Sequence, residues 1–163
     1  MTLPRILDEV ASYQALQVCV TGGEPLAQKH CMALLTALCD ADYAVSLETS
    51  GALDIASVDP RVRRVVDLKA PGSGESGKNH WQNLDQLNPR DELKFVLKDR
   101  ADYEWARHTV IERRLDALCP LLFSPVQETL EARTLAEWIL ADRLPVRFQV
   151  QLHKLLWGNM QGK

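Results

Sequence analysis

The chain has 163 residues, 46% of them hydrophobic and 25% charged, with 19 basic against 22 acidic residues and a formal net charge of −3. That balance fits a globular protein, excludes disorder and a collagen-like repeat, and lacks the basic footprint of a nucleic-acid binder. One domain over residues 1–163 is expected, well short of the roughly 250 residues of a complete eight-stranded α/β barrel, so a βα array here has to be partial.

A helix is predicted first, over residues 3–13. Apolar, β-rich runs at 17–20, 44–48, 63–68, 93–97, 120–123 and 146–152 then predict six strands. Between the first two, Leu26, His30, Cys31, Leu34, Leu35 and Leu38 recur at i, i+3 and i+4 and predict a helix over 26–39. Ala106, Val110, Leu115 and Leu118 do the same over 101–118, where Asp102 complements the helix dipole. Leu130, Leu135, Trp138 and Ile139 mark a third helix over 128–142. The segments 55–58 and 81–87 are shorter and are limited by Pro60 and Pro89. Alternation of strands and helices implies parallel pairing with right-handed crossovers. The near-continuously apolar strands imply that both sheet faces are covered. A helix ahead of the first strand points to a missing upstream strand, whose open edge is an association liability.

Cys19, Cys31, Cys39 and Cys119 show no CxxC or CxxxC spacing, so local sequence offers no metal cradle, and they are expected to be buried small hydrophobes. Unpatterned thiols suit a reducing compartment. Without a signal-peptide core or an apolar run of about 20 residues, a cytoplasmic protein with no membrane partner is expected.

Ligands of α/β proteins bind beyond the carboxyl ends of the strands. Those ends read Thr21-Gly22-Gly23-Glu24-Pro25, Glu48-Thr49-Ser50-Gly51, Asp67-Leu68-Lys69-Ala70-Pro71-Gly72, Lys98-Asp99-Arg100, Ser124-Pro125-Val126-Gln127 and Gln151-Leu152-His153-Lys154. Each presents glycines, hydroxyls or charges, which points to a ligand site rimmed by these loops. Gly22 and Gly23 let backbone approach a ligand, and Glu24 can accept from an ammonium group. Gly72 to Lys78 reads G-x-x-x-x-G-K, close to a phosphate loop, but Asn79 stands where a magnesium-holding hydroxyl belongs. Of the four histidines, His30, His80 and His108 read as edge or surface positions, and His153 lies at the ligand end.

Together, VTGGEPLAQ (20–28), LETSG (47–51), DLKAPGSGE (67–75), LKFVLKDRADYEWA (93–106), FSPV (123–126) and RFQVQLHKLLWG (147–158) resemble the 7-carboxy-7-deazaguanine synthases. These are radical S-adenosylmethionine enzymes of queuosine and deazapurine biosynthesis. The resemblance implies a partial (βα) barrel, S-adenosylmethionine, a 4Fe-4S cluster and Mg2+. It also implies a flavodoxin-type reductant, a homodimer, and a lyase reaction that converts 6-carboxy-5,6,7,8-tetrahydropterin to 7-carboxy-7-deazaguanine. It places Gly22, Gly23 and Glu24 at the methionyl amino group and Ser50 at the cofactor. Asp67 and Lys69 fall at the cofactor's carboxylate or ribose. Ser124, Pro125, Val126 and Gln127 fall at its adenine, and Thr21 and His153 at the pterin.

The family's cluster-binding cysteine triplet and magnesium ligand stand upstream of the GGEP segment and have no counterpart here. The expectation is therefore a chain lacking its first strand and cluster loop, with no metal ligand or catalytic residue assigned and no turnover as it stands. The alternatives are a non-catalytic paralogue that binds S-adenosylmethionine or a partner, and a phosphate-loop hydrolase dependent on Lys78.

Overall fold

The computed structural model describes residues 1–158 and 160, those at 153–155 without their side chains. Strands β1 (Gln17–Val20), β2 (Ala44–Thr49), β3 (Arg63–Asp67), β4 (Glu92–Leu97), β5 (Leu121–Pro125) and β6 (Arg147–Phe148) form one sheet in sequential order. Every neighbouring pair is parallel. Helices α1 (Leu3–Ser12), α2 (Cys31–Asp40), α3 (Arg100–Arg113), α4 (Ala132–Asp142) and α5 (Leu152–Trp157) complete the array. Among the described residues no helix is long and apolar enough to cross a membrane.

Sequential order has a structural consequence. When each strand lies beside its predecessor, right-handed crossovers put the connections on the same side of the sheet. Residues in register on parallel strands share a face, so the pairings separate the two faces. One carries Val45, Leu47, Val66, Leu93, Phe95 and Phe123, all buried in the core with Leu35, Tyr103 and Leu135 from the helices. Each of the large side chains there contributes about 1.5–3 kcal/mol by leaving water. The other face carries Ser46, Glu48, Val65, Asp67, Lys94 and Ser124 and is polar towards the strand ends. The expectation of two covered faces is corrected accordingly, because the winding leaves one face without a helical layer.

At the opposite end of the polar face, Glu92 receives both the Arg63 and Arg147 guanidiniums. That carboxylate ties the two-residue strand β6 back to β4. On the helix side, Asp91 is fully buried and pairs with Arg64 at 2.5 Å. It accepts the Arg64 amide at 2.9 Å and the Asn88 amide at 2.9 Å as well. No donor around this carboxylate is wasted.

Element ends differ from expectation for local reasons. Pro25 opens a short 3₁₀ turn, Pro25–Ala27, after which Gln28 is extended, so α2 starts at Cys31 rather than at 26. Arg114 takes a left-handed conformation (φ 50°) that stops α3 and leaves 115–117 as a separate 3₁₀ turn. Glu131 is extended, so α4 starts at Ala132. The expected strand over 146–152 pairs only at Arg147 and Phe148 before Leu152 opens α5. Cys19 is exposed while Cys31, Cys39 and Cys119 are buried. It sits on the uncovered face of β1, which among the described residues is an edge strand paired with β2.

Candidate functional site

The turn after β1 is built on two glycines with positive φ, Gly22 at 97° and Gly23 at 56°. A side chain on either would meet nothing within 4 Å, so the left-handed backbone rather than crowding calls for glycine, and the peptide groups stay open. Glu24 folds back to receive the Leu26 amide at 3.0 Å, the Thr49 hydroxyl at 2.8 Å and the Ser50 amide at 2.8 Å. The Ser50 hydroxyl donates to it too. Burial alone would raise the Glu24 carboxyl, but the Ser50, Leu26 and Thr49 donors outweigh it and hold the group below its ordinary value. Four donors nearly fill a carboxylate's acceptor positions. Glu24 therefore ties the glycine turn to the end of β2, and a ligand ammonium has to share an oxygen already in use.

Beside this turn the ends of β2 and β3, with Lys94 from within β4, enclose a cleft of about 120 Å³ lined by Thr21, Gly23, Ser50, Asp67 and Lys69, with Glu48, Thr49 and Val65. Lys69 Nζ lies 2.7 Å from Asp67 Oδ2. Asp67 Oδ1 is buried without a partner among the described residues. Burial pushes the Asp67 carboxyl above its ordinary value, against the pull of Lys69 and Lys94. Lys94, in register with Asp67, lies 3.8 Å from Glu48. The cleft thus offers an unused acceptor next to a loosely paired ammonium, which suits a ligand carrying both donors and acceptors.

The remaining predicted positions fall elsewhere. Gly22 lines a neighbouring groove against α1. Pro125 and Gln127 line a separate cavity of about 250 Å³ with Leu130, Ala132, Val150 and Gln151. Ser124 is fully buried on the polar face, its hydroxyl unpartnered among the described residues, and Val126 is half-buried. His153 belongs to α5, and its side chain lies outside the described residues. Four lining residues, Glu48, Thr49, Val65 and Lys94, were missed by sequence reasoning. Lys94 sits within a strand rather than after it, so a search of strand ends passes it over. Glu48 was noted at a strand end, but its residue type alone gave no role.

The phosphate-loop reading fails on geometry. The Gly72 amide is taken by Asp102 Oδ1 at 2.7 Å, and Lys78 pairs with Glu75 at 2.5 Å. The run 72–78 forms two 3₁₀ turns, Pro71–Ser73 and Ser76–Lys78, with no long helix behind them to receive an anion. Among the described residues no three His, Cys, Asp or Glu side chains gather as a metal site. Cys31 and Cys39 are buried on α2, where burial raises both thiols, and burial pushes Cys119 to about 11. The described residues therefore do not fit a 4Fe-4S cluster or a magnesium site.

No family model matches the chain. Curated relatives do. The 7-carboxy-7-deazaguanine synthase of Chlorobaculum tepidum is 46% identical over 161 residues, covering 97% of this chain and 73% of the relative. That of Koribacter versatilis is 39% identical over 152 residues, covering 85% and 67%, and that of Leptospira interrogans is 33% identical, covering 99% and 74%. Among solved structures, Streptococcus suis SuiB bound to S-adenosylmethionine superposes with a TM-score of 0.65 at 15% identity. The superposition covers 90% of this chain and 40% of SuiB, so what it shows is a shared fold, the partial (βα) array. Nearly the whole chain aligns with the Chlorobaculum and Leptospira enzymes, and it belongs to the 7-carboxy-7-deazaguanine synthase family.

Proposed function

We propose that this chain holds S-adenosylmethionine across the polar face of its sheet, as part of an enzyme that turns 6-carboxy-5,6,7,8-tetrahydropterin into 7-carboxy-7-deazaguanine. The observation that carries the reading is the cleft that gathers Thr21, Gly23, Ser50, Asp67 and Lys69 at adjoining strand ends. The buried polar atoms support it. Among the described residues, Asp67 Oδ1 and Ser124 Oγ lack partners on the polar face, and Gln151 Oε1 lacks one in the cavity beyond β5.

A cleft of about 120 Å³ is too small for the whole nucleoside and takes its polar end. The peptide groups of Gly22 and Gly23 receive the amino group, and the Lys69 ammonium pairs the carboxylate. Asp67 Oδ1 accepts from a ribose hydroxyl. The more apolar cavity beside Pro125 and Gln127 takes the purine, and the Gln151 acceptor suits its exocyclic amine. Thr21, at the mouth of the cleft, faces the pterin. In this family S-adenosylmethionine would supply hydrogen abstraction only after it is cleaved by one added electron, and among the described residues there is no group to deliver that electron. The chain's own part is to orient it, and to satisfy with the ligand the polar atoms left open without it.

Calorimetry tests the reading. Saturable binding of S-adenosylmethionine at one site per chain, weakened at least about tenfold but still measurable in Lys69→Met and unaffected by the remote Arg133→Ala, supports it. No heat from a folded sample refutes it.

The placement of the cysteines favours a second reading, a module that binds S-adenosylmethionine without chemistry. Reconstitution with iron and sulfide tests the expectation that this chain does not turn over on its own. Substoichiometric cluster absorbance is the expected result, and one cluster per chain would overturn it.

A further inference from the structure

We infer that Asn79 and Asn83 form a clamp that fixes the distance between the two loops carrying Ser50 and Lys69, and that Asn79 is the positioning residue for the Lys69 ammonium. This rests on the proposed binding of S-adenosylmethionine.

The geometry is specific. Asn79 is 8% exposed, and its side chain reads both backbone groups of one residue: Oδ1 receives the Lys69 amide at 2.9 Å, and Nδ2 donates to the Lys69 carbonyl at 3.0 Å. That pairing imitates a strand neighbour and holds Lys69 just after β3 has ended. The next residue turns to the other loop, where the His80 amide donates to the Gly51 carbonyl at 2.9 Å. Asn83, 2% exposed, donates from Nδ2 to the Leu53 carbonyl at 2.9 Å and receives the Ile55 amide at 3.2 Å. The Asn83 amide itself donates to the His80 carbonyl at 3.0 Å, so the segment is closed on itself.

The third side of the frame is Gly51. It has φ 74°, and a side chain there would stand 2.9 Å from the Asp67 carbonyl oxygen. The end of β2 is thus seated directly on the end of β3, and residues 79–83 brace both from behind. Two buried side-chain amides with their polar atoms matched to backbone are costly to misplace, because a lost partner leaves a buried group unpaired. Such a frame passes a shift at Asn79 to the ammonium it positions. Asn79, which a phosphate-loop reading treats as a failed magnesium ligand, has its own task here.

A double-mutant cycle with Lys69 tests the inference, read by calorimetry with S-adenosylmethionine on the 163-residue chain. Asn79→Ala is expected to weaken binding about tenfold, the loss of roughly one charge-assisted contact. In the Lys69→Met background the same change is expected to add less than about twofold, since its effect passes through Lys69. Thr109→Ala removes a buried hydroxyl bonded to the Trp105 carbonyl on α3 and reports a merely structural loss. It should leave affinity unchanged in both backgrounds. Equal losses from Asn79→Ala with and without Lys69 overturn the inference.

If Asn79→Ala folds poorly, Asn79→Asp keeps an acceptor for the Lys69 amide, loses the donor to its carbonyl, and enters the same cycle. Amide exchange at Lys69 needs no ligand. It should accelerate at least about tenfold in Asn79→Ala, and unchanged exchange overturns the clamp even if the wild-type chain binds no S-adenosylmethionine.

Discussion

Glu24→Gln removes the charge from a carboxylate that four donors converge on. The glutamine oxygen can keep the Leu26 amide and the Thr49 hydroxyl, now at 3.0 and 2.8 Å. Its NH₂ group then stands where Oε2 receives the Ser50 amide at 2.8 Å, so two donors face each other. The Ser50 hydroxyl can rotate to accept, but the backbone amide cannot. Hydrogen bonds to charged groups contribute about 1.5–3 kcal/mol each. With Glu24 half-buried, the loss of one such bond amounts to about 2 kcal/mol. For a chain of this size that is a fall in Tm of about 4–8 °C. The pH dependence follows from the direction of the shift. The folded carboxyl lies below its ordinary value of 4.5, so its stabilisation is present above that value and is lost as pH falls through the lower folded one. The difference between wild type and Glu24→Gln should therefore be full at pH 7 and shrink in acid, below the ordinary value of 4.5. Urea unfolding followed by circular dichroism measures both. Equal midpoints at pH 7, or a gap that persists undiminished into acid, would refute the account of the turn.

Asp67→Asn should raise Tm at neutral pH while S-adenosylmethionine binding is lost. Its folded carboxyl is raised, so burial of the charge costs stability as pH climbs through that value, and the gain should vanish in acid. Asp91→Ala strands the buried Arg64 guanidinium and should cost about 3–5 kcal/mol in thermal or urea unfolding; a loss below about 1 kcal/mol would contradict the assigned pairing. Under native conditions an alkylating reagent should label Cys19 alone of the four cysteines, since the other three are buried with raised thiols. Mass spectrometry that finds Cys119 labelled first would overturn that placement.

The strands and helices were legible because each apolar run and each i, i+4 stripe reports a neighbour that buries it. The polar face was harder to see. Val65 and Val66 are adjacent and apolar, and both are buried, one on each face, so β3 reads as a strand covered on both sides. Ser46, Glu48, Asp67, Glu92, Lys94 and Ser124 betray the alternation, but scattered along the chain they read as strand ends or isolated polar residues. Cys19 misled for a similar reason: among valines it reads as core, yet its strand is an edge.

Strand-end chemistry led to Thr21, Gly23, Ser50, Asp67 and Lys69, which the fold brings to one cleft, because parallel strands deliver all their carboxyl ends to the same side. The pairings Arg64–Asp91 and Asn79–Lys69 were not legible. They join residues 27 and 10 positions apart through side chains whose direction only the folded chain sets.

The most direct test of the central claim is a two-dimensional NMR titration of the chain with S-adenosylmethionine. Saturable shifts at the amides of Gly22, Gly23, Ser50 and Lys69, with smaller ones at Val126 and Gln127, are the predicted result. Shifts confined to other surfaces, or none at all from a well-folded sample, would contradict it.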